Sequence, residues 1–324
     1  MAFSSQGQWI WDFWFAEDGE TTHVFYLQAD KALGDPELRH WHVSIGHAVS
    51  TDLVNWGEVG TALVPSRGPA FDDGTVWTGS ILRHDSQWWM FYTGNSIADD
   101  NKCQRIGLAT SPDLSTWTKY AGNPVLDLPE GYEEYDPSRW HDRSLRDPYV
   151  FPDPSGHGWR MLFTARVADR GPSSSGVIGQ AWSANLLNWK AMSPLIAPGI
   201  SGELEVPQYL KLNGRHYVLF CTGANRFSKE FRASFGDLPA HGGTHYFLAD
   251  HPDGPWRLGP LPFLAGDARG STYAGRILPR PDGQLLFFAF LNKDADGNFV
   301  GTLSDPVPLI VHEDGRLELA RSPA

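Results

Sequence analysis

The sequence predicts an all-β protein, a five-bladed β-propeller with four antiparallel strands in each blade, from three observations. First, one phrase recurs: it reads IGHAVSTDLVNW from Ile45, IGLATSPDLSTW from Ile106 and IGQAWSANLLNW from Ile178, with looser copies from His245 and Val300. Second, apolar phrases of the type VFYLQ precede these copies and start at positions 24, 90, 161, 218 and 286, which are 66, 71, 57 and 68 residues apart. Third, no segment has the period of an ordinary helix, and Gly or Pro interrupts each candidate. Five such units are typical of a radial all-β array.

The repeat also predicts a single domain. A chain of 324 residues can hold two domains, but units that need neighbours to bury their faces favour one closed body. We therefore expect one propeller domain over residues 1–324. A parallel β-helix is the runner-up architecture, and its coils repeat at a much shorter period.

Each unit contains the segments that a blade requires. The apolar phrase is a buried second strand, and the recurring phrase is a third strand followed by a polar turn. The tail 307–319 supplies one or two closing strands. An irregular insert at 224–243 is interpreted as a lid or rim loop, because long loops in compact domains are usually functional or mobile. The segments that precede the apolar phrases, and form the first and innermost strands, lie at 8–15, 75–84, 143–153, 202–212 and 271–280.

Composition and charge exclude several classes of function. The net charge of −12 disfavours nucleic-acid and anionic-membrane partners, and no segment approaches the roughly 18 apolar residues of a membrane span. Cys103 and Cys221 lie in different units, so we expect free buried thiols. The first residues lack the features of a secretory signal. We therefore expect a cytoplasmic protein without nucleic-acid or membrane partners. The charge says little against a neutral small-molecule or oligosaccharide substrate, and the oligomeric state stays open.

Acidic residues occupy equivalent positions in three of the five innermost strands. Asp12 lies 12 residues before its apolar phrase, Asp147 lies 14 before and Glu205 lies 13 before, while Thr78 and Tyr273 hold the same position in units two and five. Equivalent ends of innermost strands converge on the propeller axis, so these five side chains should share one cavity. Carboxyl groups crowded there must repel one another, which raises at least one pKa. A proton-bearing acid beside a charged carboxylate is what cleavage of a glycosidic bond requires.

Each acid taken singly also fits a structural role. Asp12 suits a turn, Asp147 suits a surface ion pair with Arg146, and Glu203 and Glu205 suit an exposed edge strand. Acids at the equivalent position of three innermost strands favour a shared catalytic site over three separate structural roles. The repeated tryptophans are predicted to be packing residues, and they are Trp56, Trp117, Trp189 and Trp256.

No metal or other cofactor is expected, because the histidines at 40, 42 and 47 lack metal-ligand spacing. Sugars stack their apolar faces on aromatic rings, so one or two tryptophans of the cavity should bind substrate.

From about Trp9 to Leu319 the chain resembles glycoside hydrolase families 32 and 68, the β-fructosidases and levansucrase-type fructosyltransferases. The segment around Trp77 is similar to their FSGS and WSGS boxes, and RDP at 146–148 resembles the box that carries the transition-state stabiliser. ELEVP at 203–207 resembles the ExExP acid/base box, and WDFWF at 11–15 resembles the nucleophile box of family 68. The PNG of family 32 and its β-sandwich after the fifth blade are missing, so we expect the propeller without a C-terminal β-sandwich.

The resemblance implies a retaining β-fructofuranosidase acting on sucrose or short fructo-oligosaccharides. Asp12 would be the nucleophile, Glu205 the acid/base and Asp147, oriented by Arg146, the stabiliser. The residues that would bind the sugar are Trp11, Gln28, Trp41, Trp77, Thr78, Arg146, Glu203 and Tyr273.

The sequence leaves three further functions open. They are fructosyl transfer to a second sugar, cleavage by an inverting arabinan- or xylan-type glycosidase of the related family 43 propellers, and carbohydrate binding by a propeller without activity.

Overall fold

The chain forms five β-sheets among the residues that this computed structural model describes, 2–260 and 263–323. Blade 1 consists of β1 (Gln8–Asp18), β2 (Thr21–Asp30), β3 (Ser44–Ser50) and β4 (Gly57–Leu63). Blade 2 consists of β5 (Thr75–His84), β6 (Gln87–Asn95), β7 (Arg105–Ser111) and β8 (Thr118–Lys119). Blade 3 consists of β9 (Leu145–Pro152), β10 (Trp159–Arg166), β11 (Gly176–Ser183) and β12 (Lys190–Ile196).

The last two blades each carry a fifth short strand. Blade 4 consists of β13 (Glu205–Leu212), β14 (Arg215–Thr222), β15 (Gly242–Ala249), β16 (Arg257–Leu258) and β17 (Ala265–Asp267), which pairs with β15. Blade 5 consists of β18 (Thr272–Pro279), β19 (Leu285–Lys293), β20 (Phe299–Leu303), β21 (Val307–Val311) and β22 (Leu317–Leu319). Every blade is antiparallel, so the predicted five-bladed propeller is confirmed.

Helical structure is short in the described part of the chain, and no helix there could span a bilayer. The helix α1 (Lys229–Ala233) lies in the insert between β14 and β15. The 3₁₀ turns are Lys31–Leu33, Pro36–His40, Ile97–Asp99 and Pro172–Ser174.

The recurring phrase forms the third strand of a blade and a tight polar turn after it. In the first copy the Asp52 carboxylate accepts hydrogen bonds from the backbone amides of Val54 and Asn55, at 2.9 and 2.7 Å. Leu53 has a φ of 63° and is buried beneath the turn. Leu114 and Leu186 repeat this left-handed conformation in blades 2 and 3. A leucine therefore occupies this left-handed position in all three copies, because its side chain packs in the core.

The tryptophan that ends each phrase packs between neighbouring blades, as predicted. Trp117 of blade 2 meets Phe25 of blade 1 edge-on with ring centroids 5.6 Å apart, and Trp189 of blade 3 meets Phe91 of blade 2 at the same distance. The core consists of such clusters between adjacent blades.

The ring closes between blades 5 and 1. The Leu303 amide donates to the Phe3 carbonyl at 2.9 Å, so the first residues pair with β20. Arg280, directly after β18, donates to the Glu17 carboxylate of β1 at 2.6 Å.

Both cysteines are free thiols; Cys221 is buried and Cys103 is half-buried.

Candidate active site

Each innermost strand carries a β-bulge at, or directly after, the residue that the sequence singled out. The pairing register of β1 shifts between Trp11 and Phe13, so Asp12 is the extra residue. The register of β5 shifts in the same way around Thr78. A bulge adds one residue to a strand and re-aims a side chain. The equivalent shifts in blades 3, 4 and 5 fall at residues 147–148, 206–207 and 274–275.

Asp12 is held by blade 2 and is difficult to ionise. The Thr78 hydroxyl donates to its carboxylate at 2.5 Å. Burial raises the pKa of Asp12 to about 7, and the nearby charges of Asp147 and Glu205 add to this shift. Asp12 is therefore subject to the repulsion from neighbouring carboxylates that the sequence predicts for converging carboxyl groups.

Asp147 is fixed by three neighbours on three blades. Its carboxylate accepts from the Thr164 hydroxyl at 2.8 Å and from the Val206 amide at 3.0 Å, and its own amide donates to Thr93 Oγ1 at 2.9 Å. Its φ of 58° lies in the left-handed region, which is uncommon for a residue other than glycine. Burial raises the pKa of Asp147, although the charge of Arg146 opposes the rise.

Arg146 spans a pair of glutamates. Its Nη2 donates to Glu203 Oε2 at 2.5 Å and to Glu205 Oε1 at 2.7 Å. Its Nε lies 3.7 Å from the Asp147 carboxylate. The predicted role of Arg146 in orienting Asp147 is therefore secondary to its contacts with the glutamate pair.

The two glutamates have opposite pKa shifts. Burial raises the pKa of Glu203 to about 8, and the charge of Glu205 adds to the rise. Burial also acts on Glu205, but the charge of Arg146 and a 2.5 Å hydrogen bond from the Tyr273 hydroxyl outweigh it, so the pKa of Glu205 is lowered. The pair therefore holds one proton at neutral pH, and Glu203 carries it.

A cavity of about 670 Å³ lies at the axis and contains all of these groups. Trp41 is 45% exposed and its ring centroid lies 6.0 Å from that of Trp77. The Trp77 indole donates to the His40 carbonyl at 3.0 Å, which fixes its ring. The predicted site residues that line this cavity are Trp11, Asp12, Trp41, Trp77, Thr78, Arg146, Asp147, Glu203, Glu205 and Tyr273.

Gln28, which was predicted to bind the sugar, is not among the described residues that line this cavity. Successive side chains of a strand point to opposite faces, and Leu27 is the neighbour that faces the cavity. The Gln28 amide donates instead to Ser44 Oγ at 3.2 Å and Thr61 Oγ1 at 3.1 Å, within blade 1.

Several lining residues were not predicted from the sequence. Arg226 at the start of the insert forms an ion pair with Glu203 at 3.1 Å. The guanidinium groups of Arg226 and Arg166 lie 4.9 and 3.7 Å from the Trp140 ring centroid. The sequence pointed to Arg226 only through its position inside the long insert. Its proximity to Glu203 depends on the tertiary structure and could not be predicted. The remaining unpredicted residues that line the cavity are Leu27, Glu37, Arg39, His40, Asn101, Lys102, His141, Asp142, Val206, Gly223, Phe290 and Asn292.

The arrangement can carry out acid–base and nucleophilic chemistry on a sugar. It combines a buried carboxyl group that titrates near neutrality, a second one held by backbone and hydroxyl donors, and a glutamate pair that stores a proton. In the described residues no group of three or more histidine, cysteine or acidic side chains could hold a metal ion.

Comparison with known proteins shows related chains and a shared fold. A vacuolar acid β-fructofuranosidase of a Rosa hybrid cultivar is 34% identical over 159 residues, covering 47% of this chain and 24% of its own. A levanase of Bacillus sp. strain L7 is 30% identical over 295 residues, covering 83% of this chain and 29% of its own. The chain thus spans well under two thirds of the length of these curated relatives.

Solved structures share the fold at low identity. An inulosucrase from Halalkalicoccus jeotgali bound to kestose superposes with a TM-score of 0.76 at 22% identity, over 98% of this chain and 88% of the other. Levansucrase of Bacillus subtilis superposes with a TM-score of 0.75 at 16% identity, over 100% and 89%. The family model described as the glycosyl hydrolases family 32 N-terminal domain matches residues 14–295, and the chain therefore belongs to glycosyl hydrolases family 32.

Proposed function

We propose that this protein is a retaining glycoside hydrolase that releases fructose from β-fructofuranosides, sucrose or short fructo-oligosaccharides. The observation that carries the proposal is the meeting of Asp12, Asp147 and Glu205 at one cavity of a family 32 propeller. Curated relatives named β-fructofuranosidase, raffinose invertase and levanase support the substrate class.

Asp12 is proposed as the nucleophile that attacks the anomeric carbon and forms a fructosyl-enzyme intermediate. Its pKa of about 7 means that the ionised, attacking form increases as the pH rises through neutrality. The Asp12 and Glu205 carboxyl groups should be about 5–5.5 Å apart for such a double displacement.

Glu205 is proposed to protonate the leaving oxygen and later to activate water. The proton comes from the Glu203–Glu205 pair, which Arg146 bridges. Asp147 is proposed to stabilise the oxocarbenium-like transition state by its charge. Aromatic rings at Trp41 and Trp77 provide apolar surface against which a sugar can pack.

Fructosyl transfer is the second candidate function, since one relative is named sucrose:sucrose 1-fructosyltransferase, at 32% identity over 178 residues. Asp12 and Glu205 support transfer as well as hydrolysis. Chromatography of the products at high sucrose concentration separates the two, because transfer yields trisaccharides and hydrolysis yields free fructose.

An inverting mechanism and a purely binding role can each be tested directly. An inverting arabinan- or xylan-type glycosidase would release the product with the opposite anomeric configuration and needs a wider carboxyl separation, so NMR of the initial product distinguishes it. A binding protein without activity would bind fructo-oligosaccharides and leave them intact. Screening sucrose, inulin, levan and aryl-arabinofuranosides with purified protein covers the hydrolytic, inverting and binding functions together.

The central test is Asp12→Asn, a nearly isosteric change that removes the attacking carboxylate. We expect hydrolysis of the best substrate to fall by at least about 10³-fold with the fold retained, as for other nucleophile losses. Asp18→Asn, at an exposed position of the same strand β1, is the matched control and should keep full activity. If the Asp12→Asn variant cleaves as fast as the parent, Asp12 is not the nucleophile.

A further inference from the structure

A buried arginine lies beneath the cavity, outside the set of lining residues. Arg276 of β18 is 2% exposed and does not line the cavity. It occupies the first paired position beyond the bulge of blade 5. The residues at this position in blades 1 to 4 are uncharged, and they are Phe13, Gly79, Tyr149 and Gln208.

The guanidinium of Arg276 connects three blades through backbone carbonyls. Its Nε donates to the Phe13 carbonyl at 3.4 Å, next to Asp12, and its Nη1 donates to the Val206 and Pro207 carbonyls at 3.3 and 2.7 Å, next to Glu205. Among the described residues it forms no ion pair, and its Nη2 is buried without a hydrogen-bond partner. A buried charge that lacks a paired carboxylate is costly, so its retention calls for a function.

We propose that Arg276 is a positioning residue of the reaction: its buried guanidinium ties the strand of Asp12 to the strand of Glu205 and places a positive charge close to Asp12 that favours the ionised carboxylate. This inference deepens the proposed function and rests on it for the catalytic role.

The charges around Asp12 and Arg276 support this positioning role. Burial, Asp147 and Glu205 raise the pKa of Asp12, while the hydrogen bond from Thr78 and, to a smaller extent, the charge of Arg276 lower it. The titratable groups that act on Arg276 from the surrounding strands are Asp12, Asp147, Tyr149 and Cys221. The Tyr149 ring centroid lies 5.7 Å from the guanidinium carbon. The charge of Arg276 thus opposes part of the rise in the pKa of Asp12.

The first test measures kcat/KM against pH for three enzymes: the parent, Arg276→Gln and Arg276→Lys. Arg276→Gln removes the charge but keeps an amide donor for the Pro207 carbonyl. The acidic limb of the kcat/KM profile, where activity rises as Asp12 ionises, should therefore move to higher pH. Each pH unit of displacement corresponds to about a tenfold loss of kcat/KM on the acidic side. Arg276→Lys keeps the charge, so its limb should stay near that of the parent while kcat falls because the fork that joins the strands is lost. Arg276→Met, of similar length, replaces the Gln variant if that variant does not fold.

The matched control is Arg160→Met. Arg160 is also buried, and it pairs with Asp153 and Asp253 on the outer part of the propeller. This variant should lose stability without moving the acidic limb. An unchanged acidic limb in a folded, uncharged Arg276 variant would overturn the proposal, as would an equal displacement in Arg160→Met.

A second readout does not depend on activity. An unfolded Asp12 releases its proton near its ordinary pKa of 3.8, whereas the folded residue keeps it until about pH 7. The free energy of unfolding of the parent, relative to Asp12→Asn, should therefore fall as the pH rises between these values and then level off. The same comparison is made between Arg276→Gln and the double variant Arg276→Gln/Asp12→Asn. There the fall in the free energy of unfolding should extend to higher pH. An identical profile in both pairs contradicts the electrostatic role of Arg276, whereas a parent that cleaves no fructoside contradicts only the proposed function.

Discussion

At the scale of single residues, the glutamate pair shows how one sequence motif yields two different acids. Glu203 and Glu205 alternate along the chain, and both contact Nη2 of Arg146. Only Glu205 also accepts the Tyr273 hydroxyl. Burial raises the pKa of Glu203 although Arg146 and Arg226 both lie beside it, whereas at Glu205 the charge of Arg146 and the Tyr273 hydrogen bond outweigh burial, so Glu203 is the acid that keeps the proton.

The prediction at this scale concerns Glu203→Gln. The pair retains its proton up to about pH 8 because the pKa of Glu203 is raised to that value. Glutamine cannot carry this proton, and the remaining acid, Glu205, has a lowered pKa. The basic limb of kcat/KM should therefore move to lower pH, with about a tenfold loss at pH 8 for each unit of displacement.

A buried glutamate elsewhere provides the control for this pH profile. Glu133 accepts two hydrogen bonds from Arg139, both at 3.0 Å, and does not line the cavity. Glu133→Gln should leave the basic limb in place. A Glu203→Gln variant whose KM rises without any change in the limb would assign Glu203 to substrate binding alone.

At the scale of elements, the bulges of the innermost strands decide the site. A regular strand would alternate its side chains between the two faces, whereas the extra residue at positions such as 12 and 78 turns a side chain towards the axis. Val206 has a φ of 53° although it is β-branched, and its amide donates to Asp147. Such local strain is typical of functional sites.

The connection between blades 2 and 3 also reaches the cavity. Trp140 contacts the guanidinium groups of both Arg166 and Arg226, and Arg226 pairs with Glu203. The ring thereby restricts Arg226 to the cavity wall. Cation–π contacts of this kind contribute about 0.5–2 kcal/mol.

Trp140→Ala should therefore weaken substrate binding. We expect KM to rise by about 2- to 30-fold, the factor equivalent to the loss of one such contact, with a smaller change in kcat. Trp182→Ala is the control, since the Trp182 indole donates to His157 on the outer side of blade 3. Steady-state kinetics of both variants tests the role of Trp140, and equal KM values in parent and Trp140→Ala would contradict it.

At the scale of the whole molecule, ring closure holds the first strand and its Asp12 in place. Phe3 is buried, pairs with Leu303 and packs against Tyr26 and Trp56 at centroid distances of 5.5 and 6.0 Å. Five blades can enclose an axial cavity only while the last one stays attached to the first.

Phe3→Ala tests this closure. Truncation of a buried phenylalanine should lower the free energy of unfolding by about 3–5 kcal/mol, measured by guanidinium denaturation. Activity at low temperature should stay close to that of the parent, because Phe3 does not line the cavity. Leu238→Ala, at a position 63% exposed, should change stability by less than about 0.5 kcal/mol, and a Phe3→Ala variant as stable as this control would contradict the role of Phe3.

The fold and the converging side chains could be predicted from the sequence alone because the repeat is local information. The recurring phrase and the spacing of the apolar strands set the blade, and the register places Asp12, Asp147 and Glu205 on innermost strands. Tertiary structure decided the rest. The face that Gln28 occupies, the sharing of Arg146 between two glutamates, and the buried Arg276 below them all depend on distances between blades. Those distances are not encoded at any fixed spacing along the chain, since Arg276 and Phe13, which form a hydrogen bond, lie 263 residues apart.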